Sequence, residues 1–138
     1  MAVISVLSVG LIPSLIDYRS PDYAAFPGLD AEKVMEALQN DIALLNSLGY
    51  EAELGLVDFG ETAEAVLLQL LQNKKYDCVI VGAGVRLVAA NTPLFEKIIN
   101  AIHEQAPKAK LCFNTAPTDT AEAVQRWFPT SSVAVEAV

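Results

Sequence analysis

The segment YDCVIVGAGVR, residues 76–86, decides how we interpret the fold of this chain. An almost wholly apolar, β-branched run, Cys78–Val81, leads into two glycines and then into an arginine. The glycines are Gly82 and Gly84, and the arginine is Arg86. A short apolar run of this kind is typical of a parallel strand that is buried on both faces of a sheet. We therefore predict a central strand whose carboxyl end carries flexible backbone and a positive charge to a ligand cleft.

Outward from this segment, predicted strands alternate with predicted helices. The apolar runs predict strands at residues 3–10, 50–59, 76–81 and 110–113, and a short fifth strand at 132–136. The helical periodicity predicts helices at residues 30–48, 60–75, 93–107 and 119–128, with an apolar loop at 85–91. This alternation requires parallel βαβ units, so we predict one α/β domain over residues 1–138, a three-layer sandwich with four to five parallel strands. The preferred strand order is the flavodoxin-like (Rossmann-like) 2-1-3-4-5, with 3-2-1-4 left open.

The hydropathy and net charge of the chain limit the classes of partner that we expect. Hydrophobic residues make up 53% of the 138 residues and the mean hydropathy is +0.36, which favours a homo-oligomer that hides apolar surface between subunits. The chain has 9 Lys and Arg against 17 Asp and Glu, a formal charge of -8. Such a negative field repels phosphate backbones and anionic lipids, so we expect neither nucleic acid nor membrane as a partner.

The apolar run Ala2–Ile16 has no basic residue before it and ends too soon for a bilayer span, because Asp17 follows it. We interpret it as the first strand and the start of a loop, and expect a cytoplasmic protein. Cys78 and Cys112 both fall within predicted strands, where a thiol packs as a small hydrophobe. No disulfide is expected in that compartment.

Three segments follow predicted strands and are expected to converge, because ligands of open α/β sheets bind outside the carboxyl ends of the strands. They are the long loop from Leu11 to Leu29, the turn at residues 82–86 and the pair Asn114-Thr115. The predicted substrate-binding residues are Gly82, Gly84, Arg86, Asn114 and Thr115. A guanidinium beside exposed backbone suits a small anionic molecule. Two alternatives remain open: Arg86 pairs with a loop carboxylate, Asp17 or Asp22, or Asn114-Thr115 only begins a turn.

The long loop provides the predicted catalytic residues Asp17, Tyr18 and Arg19, beside Tyr23. A carboxylate, phenols and a cation can carry out general acid–base chemistry if the loop closes over a substrate. The alternative is that the loop aromatics fix the loop to the protein or fill a subunit interface.

No cofactor and no metal site is predicted. The run from Gly82 to Leu87 begins like a dinucleotide fingerprint, but it lacks the third small residue, does not follow the first strand and does not open directly into a helix. The chain has a single histidine, His103, and no cluster of cysteines or carboxylates at metal-ligand spacing.

The layout as a whole is similar to flavodoxin-like domains. The long loop with Arg19 and Tyr23 resembles the lid of type II dehydroquinases, although the histidine which those enzymes place after the fourth strand is absent. The leading functional hypothesis is a small-molecule-binding α/β protein, acting on a small anionic metabolite as a cofactor-independent enzyme of lyase, isomerase or hydrolase type. The alternative hypothesis is a non-enzymatic oligomeric interaction module.

Overall fold

The computed structural model describes residues 3–130 and places four parallel strands between two layers of helices. The strands are β1 (Ser5–Leu11), β2 (Glu51–Val57), β3 (Cys78–Val81) and β4 (Lys110–Phe113). The helices are α1 (Ala31–Ser47), α2 (Ala63–Asn73), α3 (Ala83–Arg86), α4 (Thr92–Gln105) and α5 (Thr120–Gln125). The predicted α/β fold is confirmed. None of the helices within residues 3–130 has the length and apolar character needed to cross a bilayer.

The strand order is β2-β1-β3-β4, with every neighbouring pair parallel. In this register Val6 of β1 lies between Ala52 of β2 and Cys78 of β3. The order agrees with the flavodoxin-like prediction for the first four strands and places β2 at an edge, as its partly polar sequence indicates. The alternative order 3-2-1-4 does not occur. The predicted fifth strand, at residues 132–136, lies outside the described residues.

Both faces of the sheet are covered, which explains the apolar character of the central strands. Every residue of β3 is buried, and β1 is buried except at Gly10. On one face, buried strand residues pack against α2 and α4 through Leu67, Leu71, Leu94, Ile98 and Ile102. On the other face, β3 and β4 pack against α1 and α5 through Leu45, Ala123 and Val124. The two cores fix the sheet, so its carboxyl edge has a defined position.

Helix boundaries follow local chemistry at α1. The carboxylate of Asp30 accepts a hydrogen bond from the backbone N–H of Lys33 at 2.8 Å, which caps the start of the helix. Just beyond the other end, Gly49 has φ 100°, a left-handed conformation that glycine adopts readily. Both features agree with the sequence prediction.

The segment after β3 differs from its prediction. The sequence predicts a turn that does not open into a helix and then a loop at 85–91, and this is wrong. Gly82 is extended (φ -66°, ψ 152°) and α3 begins directly after it, while Ala89–Asn91 forms a single 3-10 turn before α4. The cause is distant in sequence, since Asn114 Oδ1 accepts a hydrogen bond from the N–H of Ala83 at 2.8 Å.

Candidate functional site

A groove of about 450 Å³ opens at the carboxyl ends of β1, β2 and β3. It lies between the loop after β1, the end of β2 and the connection that leads into α4. Among its lining residues are Asp17, Asp22, Tyr23, Phe59, Ala90 and Asn91. Open α/β sheets bind ligands in this position, beside the strand pair where the chain changes direction. The volume also falls within the range of roughly 300–1,000 Å³ that is typical of small-molecule sites.

The walls of the groove combine two carboxylates with an aromatic surface. Asp17 Oδ1 accepts a hydrogen bond from the N–H of Arg19 at 3.1 Å, and Asp22 Oδ2 accepts one from the hydroxyl of Ser20 at 3.2 Å. Phe59, directly after β2, is 46% exposed. An apolar surface beside a few polar groups is the usual composition of a small-molecule site.

The amino terminus of α4 forms the remaining wall. Asn91 is buried and its Nδ2 donates a hydrogen bond to the carbonyl of Gly84 at 3.1 Å, which fixes the connection between α3 and α4. The helix has 14 residues, with Pro93 in its first turn. Its first N–H groups have no partner within the helix, so this end carries a partial positive charge.

Of the three predicted catalytic residues, Asp17 and Arg19 contact each other, whereas the Tyr18 hydroxyl bonds to Pro13 instead. The Arg19 guanidinium is 97% exposed, and its Nε lies 3.7 Å from Asp17 Oδ1. The hydroxyl of Tyr18 donates to the carbonyl of Pro13 at 2.7 Å, and its ring packs 5.7 Å from the ring of Tyr23. In this structure Tyr18 therefore fixes the loop, which is the alternative that the sequence leaves open for the loop aromatics.

The two phenols of the loop remain protonated at neutral pH. Burial raises the pKa of Tyr18 above its ordinary value, and the charges of Tyr23 and Asp30 act in the same direction. Burial also raises the pKa of Tyr23, with a further contribution from Asp22. Tyr23, which lines the groove, can thus donate a hydrogen bond to a ligand but is not a base at physiological pH.

Arg86 lies beside the groove and does not line it. Its Nη2 donates to the carbonyl of Asn114 at 2.8 Å, and its Cζ lies 5.4 Å from the centre of the Phe113 ring. Its Nε is buried and has no hydrogen-bond partner among the described residues. Within residues 3–130 neither Asp17 nor Asp22 forms an ion pair with it. The side chain therefore joins α3 to the end of β4.

The buried side chain of Asn114, directly after β4, bonds to α3 and α5, and through Thr120 it is connected to α1. Its Oδ1 accepts from Ala83 at the start of α3, and its Nδ2 donates to Thr120 Oγ1 at 3.0 Å. The Thr120 hydroxyl in turn donates to Asp41 Oδ2 of α1 at 2.8 Å. The chain of hydrogen bonds runs from β4 to α3, α5 and α1.

The other predicted binding residues also lie outside the groove. Thr115 donates its N–H to Asp119 Oδ1 at 2.9 Å, and its hydroxyl donates to the same carboxylate, which is the turn that the sequence leaves open as an alternative. Gly82 continues the pairing with β1, donating to the carbonyl of Val9 at 3.0 Å. Gly84 is exposed, and no heavy atom would lie within 4 Å of an added Cβ.

Replacing Asp41 with asparagine is expected to raise the free energy of unfolding at pH 7 by up to about 0.5 kcal/mol, since solvent screens a half-buried carboxylate. Burial raises the pKa of Asp41, as does the charge of Asp119, while the Thr120 hydrogen bond opposes the shift. Since the folded pKa lies above the unfolded one, the native state of the wild type gains stability as pH falls through the folded pKa. Asparagine keeps the acceptor for Thr120 without the charge. Urea unfolding at pH 7 and near pH 4 checks this, because the difference between the two proteins must shrink at the lower pH.

The sequence alone does not mark several of the groove residues as functional. It places Phe59 at the end of a predicted strand, and Ala90 and Asn91 in a predicted apolar loop. One usable signal was present, since Asn91 is a polar residue at the end of that loop and directly precedes the helix start at Thr92-Pro93.

A second depression, of about 300 Å³, lies at the opposite, amino end of the strands. Lys74, Lys75 and Lys108 line it, close to the carboxyl ends of α2 and α4. Lysines in this position are favourable because they offset the partial negative charge of the helix ends. Across residues 3–130, no three or more His, Cys, Asp or Glu side chains are grouped so that they could hold a metal ion.

No family model matches this chain. A search of curated proteins likewise finds no match.

Proposed function

We propose that this is a cytoplasmic protein that binds a small anionic metabolite, one that also carries hydroxyl or amino groups, in the groove at the carboxyl ends of β1, β2 and β3. The observation that supports this proposal is the groove itself, which has the position and volume of a ligand site. Two buried cysteines that are both free thiols are typical of a reducing compartment.

The charges around the groove suggest how such a ligand is oriented. Its anionic group faces the amino terminus of α4 at Asn91, where backbone N–H groups and the helix dipole favour negative charge. Its hydroxyl or amino groups face Asp17 and Asp22, which are acceptors when ionised. Arg19 lies beside Asp17, with Nε 3.7 Å from Asp17 Oδ1, but its side chain is 97% exposed and does not line the groove.

The same arrangement can support acid–base chemistry without a cofactor. Asp17 is a proton acceptor in the wall of the groove, and the protonated phenol of Tyr23 is a hydrogen-bond donor there. This supports lyase, isomerase or hydrolase activity as the form that an enzymatic role would take. Tyr18 contributes by holding the loop through its bond to Pro13.

A thermal-shift screen against hydroxycarboxylic acids, amino acids and sugar phosphates at millimolar concentration tests binding. A ligand at 100 times its Kd stabilises the native state by about 2.7 kcal/mol, a shift of several degrees in a domain of this size. Ala90→Tyr is expected to abolish the shift, because an exposed side chain at this position extends into the groove. The matched control is Ala89→Tyr, in the same 3-10 turn but outside the groove lining, which is expected to retain it.

The variant Arg86→Ala distinguishes a ligand site in the groove from a ligand site at the neighbouring turn, residues 82–86. We expect this variant to melt at a lower temperature, because it loses the contacts with Asn114 and Phe113, and to keep the ligand-induced shift. A ligand that still stabilises Ala90→Tyr but no longer stabilises Arg86→Ala would place the site at the turn and contradict the groove proposal.

The alternative function, a non-enzymatic oligomeric module, is favoured by exposed apolar side chains. Those exposed by about half or more include Phe26, Leu44, Leu87 and Trp127. Where such groups form one contiguous patch, they are characteristic of a surface that a partner or second subunit covers. Light scattering after size exclusion measures the mass directly. A stable dimer or larger assembly, together with no ligand in the screen, would favour this alternative.

A further inference from the structure

Two cysteine thiols meet in the core between α1, α5 and the sheet, apart from the groove. Cys78 on β3 and Cys112 on β4 are both fully buried, and their Sγ atoms lie 3.1 Å apart. Both are free thiols. Because Cys112 lies opposite Ile80, two residues beyond Cys78 on β3, the two side chains point to the same face of the sheet. The sulfur atoms must approach by about 1 Å to reach bonding distance. Because the two residues are diagonal neighbours, with Cα atoms roughly 7–8 Å apart, β4 must also shift toward β3 for the bond to close.

We propose that Cys78 and Cys112 are a redox-responsive pair, which closes to an intramolecular disulfide when the folded protein meets hydrogen peroxide. This goes beyond the proposed binding function and does not depend on it. It also assigns chemistry to two residues that the sequence predicts only as packing groups.

The surroundings distinguish the two thiols. The hydrogen bond between them lowers the pKa of Cys112, burial opposes this shift, and the positive charge of Arg126 adds to it. The same hydrogen bond raises the pKa of Cys78, and burial adds to the effect. Cys112 lies on β4, at the end of the described strand order, whereas Cys78 lies on the internal strand β3, so peroxide reaches Cys112 first. Cys112 is therefore the attacking residue and Cys78 the resolving residue.

Access to Cys112 depends on α5. Cys112 lies on β4, an edge strand among the described residues, and Ala123 and Val124 of α5 pack in the same core. The helix has six residues, too few to be stable without its tertiary contacts. Beyond its end, the hydroxyl of Tyr50 donates a hydrogen bond to the carbonyl of Phe128 and holds the segment down. Local opening of α5 would expose Cys112 without unfolding the sheet.

The reaction is balanced with hydrogen peroxide as the oxidant. The Cys112 thiolate attacks one peroxide oxygen, the O–O bond breaks, and the sulfenic acid forms as hydroxide leaves and takes up the thiol proton. The sulfur of Cys78 then attacks the sulfur of Cys112, and the S–O bond breaks to release water. Overall, two thiols and one peroxide give one disulfide and two waters, and the two electrons lost by sulfur reduce the peroxide.

Intact-mass spectrometry of the folded protein treated with peroxide, and then blocked with N-ethylmaleimide after unfolding, tests the pair. We expect loss of two hydrogens with no label, and recovery of two labelled thiols after dithiothreitol. In Cys78→Ser the reaction should stop at a sulfenic acid on Cys112, which dimedone traps, whereas Cys112→Ser should leave Cys78 as a thiol. Two labelled thiols in the treated wild type, or only intermolecular disulfides, would overturn the proposal.

A pair of tyrosine variants tests access through α5. Tyr50→Phe removes the hydrogen bond to Phe128, so disulfide formation should be several times faster. Tyr76→Phe is the matched control, since Tyr76 is equally buried but its hydroxyl donates to Glu53, away from α5. Its rate should equal that of the wild type. Equal acceleration in both variants would show that the thiols react only after general loosening of the protein, and would overturn the role of α5.

Discussion

Replacing Asn114 with alanine is expected to lower the free energy of unfolding by roughly 2–4 kcal/mol, since a buried amide with partners in several elements is lost. The substitution removes the acceptor for the N–H of Ala83 and the donor to Thr120 in one step. Asn114 is only 8% exposed, so water cannot easily replace either bond. The first turn of α3 and the packing of α5 against the sheet should both become less stable.

Urea unfolding of the wild type, Asn114→Ala and Thr115→Ala measures this effect. Thr115 is the adjacent residue in the chain, but it is exposed, and its side-chain and N–H hydrogen bonds within residues 3–130 go to Asp119 of its own turn. Thr115→Ala should therefore lower the free energy of unfolding by less than about 1 kcal/mol. The sequence assigns both residues to ligand binding. If Asn114→Ala kept full stability and lost only ligand binding, its amide would be a ligand contact and the structural role argued here would be wrong.

The sequence predicts the fold well because its signals are local. The apolar runs of β1 and β3 indicate strands covered on both faces, and Asp30 and Gly49 mark the ends of α1. The general rules for parallel βαβ units favour the observed order of the first four strands but leave 3-2-1-4 open, and the pairing of β1 with both β2 and β3 decides between the two. The one-turn helix α3 could not be found in this way, since its first N–H is held by a residue 31 positions further along the chain.

Of the three segments that the sequence predicts at the site, the long loop after β1 lines the groove, whereas the turn at residues 82–86 and Asn114-Thr115 do not. Knowing which segments follow strands is enough to bring Asp17 to the carboxyl edge, where it lines the groove. The direction of Arg86 could not be predicted, because its partner is a backbone carbonyl and the sequence offers the carboxylates of Asp17 and Asp22 as more obvious choices. Ala90 has no chemistry that marks it, and only the packing of its turn places it in the groove.

Gly55→Ala is expected to lower the free energy of unfolding by roughly 1–3 kcal/mol through overpacking of the core. Gly55 is a buried residue of β2, and an added Cβ would lie 2.9 Å from Leu7 Cδ1 and 3.0 Å from Leu70 Cδ1. Leu7 is fully buried in the central strand β1, where side chains are closely packed. The distance between β2 and α2 must therefore increase, or Leu7 must leave its preferred rotamer.

Gly84→Ala makes the same chemical change where there is room for it. No heavy atom lies within 4 Å of the added Cβ, and the residue is helical in α3, so alanine should raise stability by up to about 1 kcal/mol. Thermal and urea unfolding of the two variants, measured side by side, distinguish the effect of close packing on stability from the effect of glycine's backbone freedom. A similar loss of stability in both would mean that the backbone freedom of glycine, and not the contact of Gly55 with Leu7 and Leu70, decides the result. A further decrease for Gly55→Val would support the packing explanation, because the larger side chain meets the same two leucines.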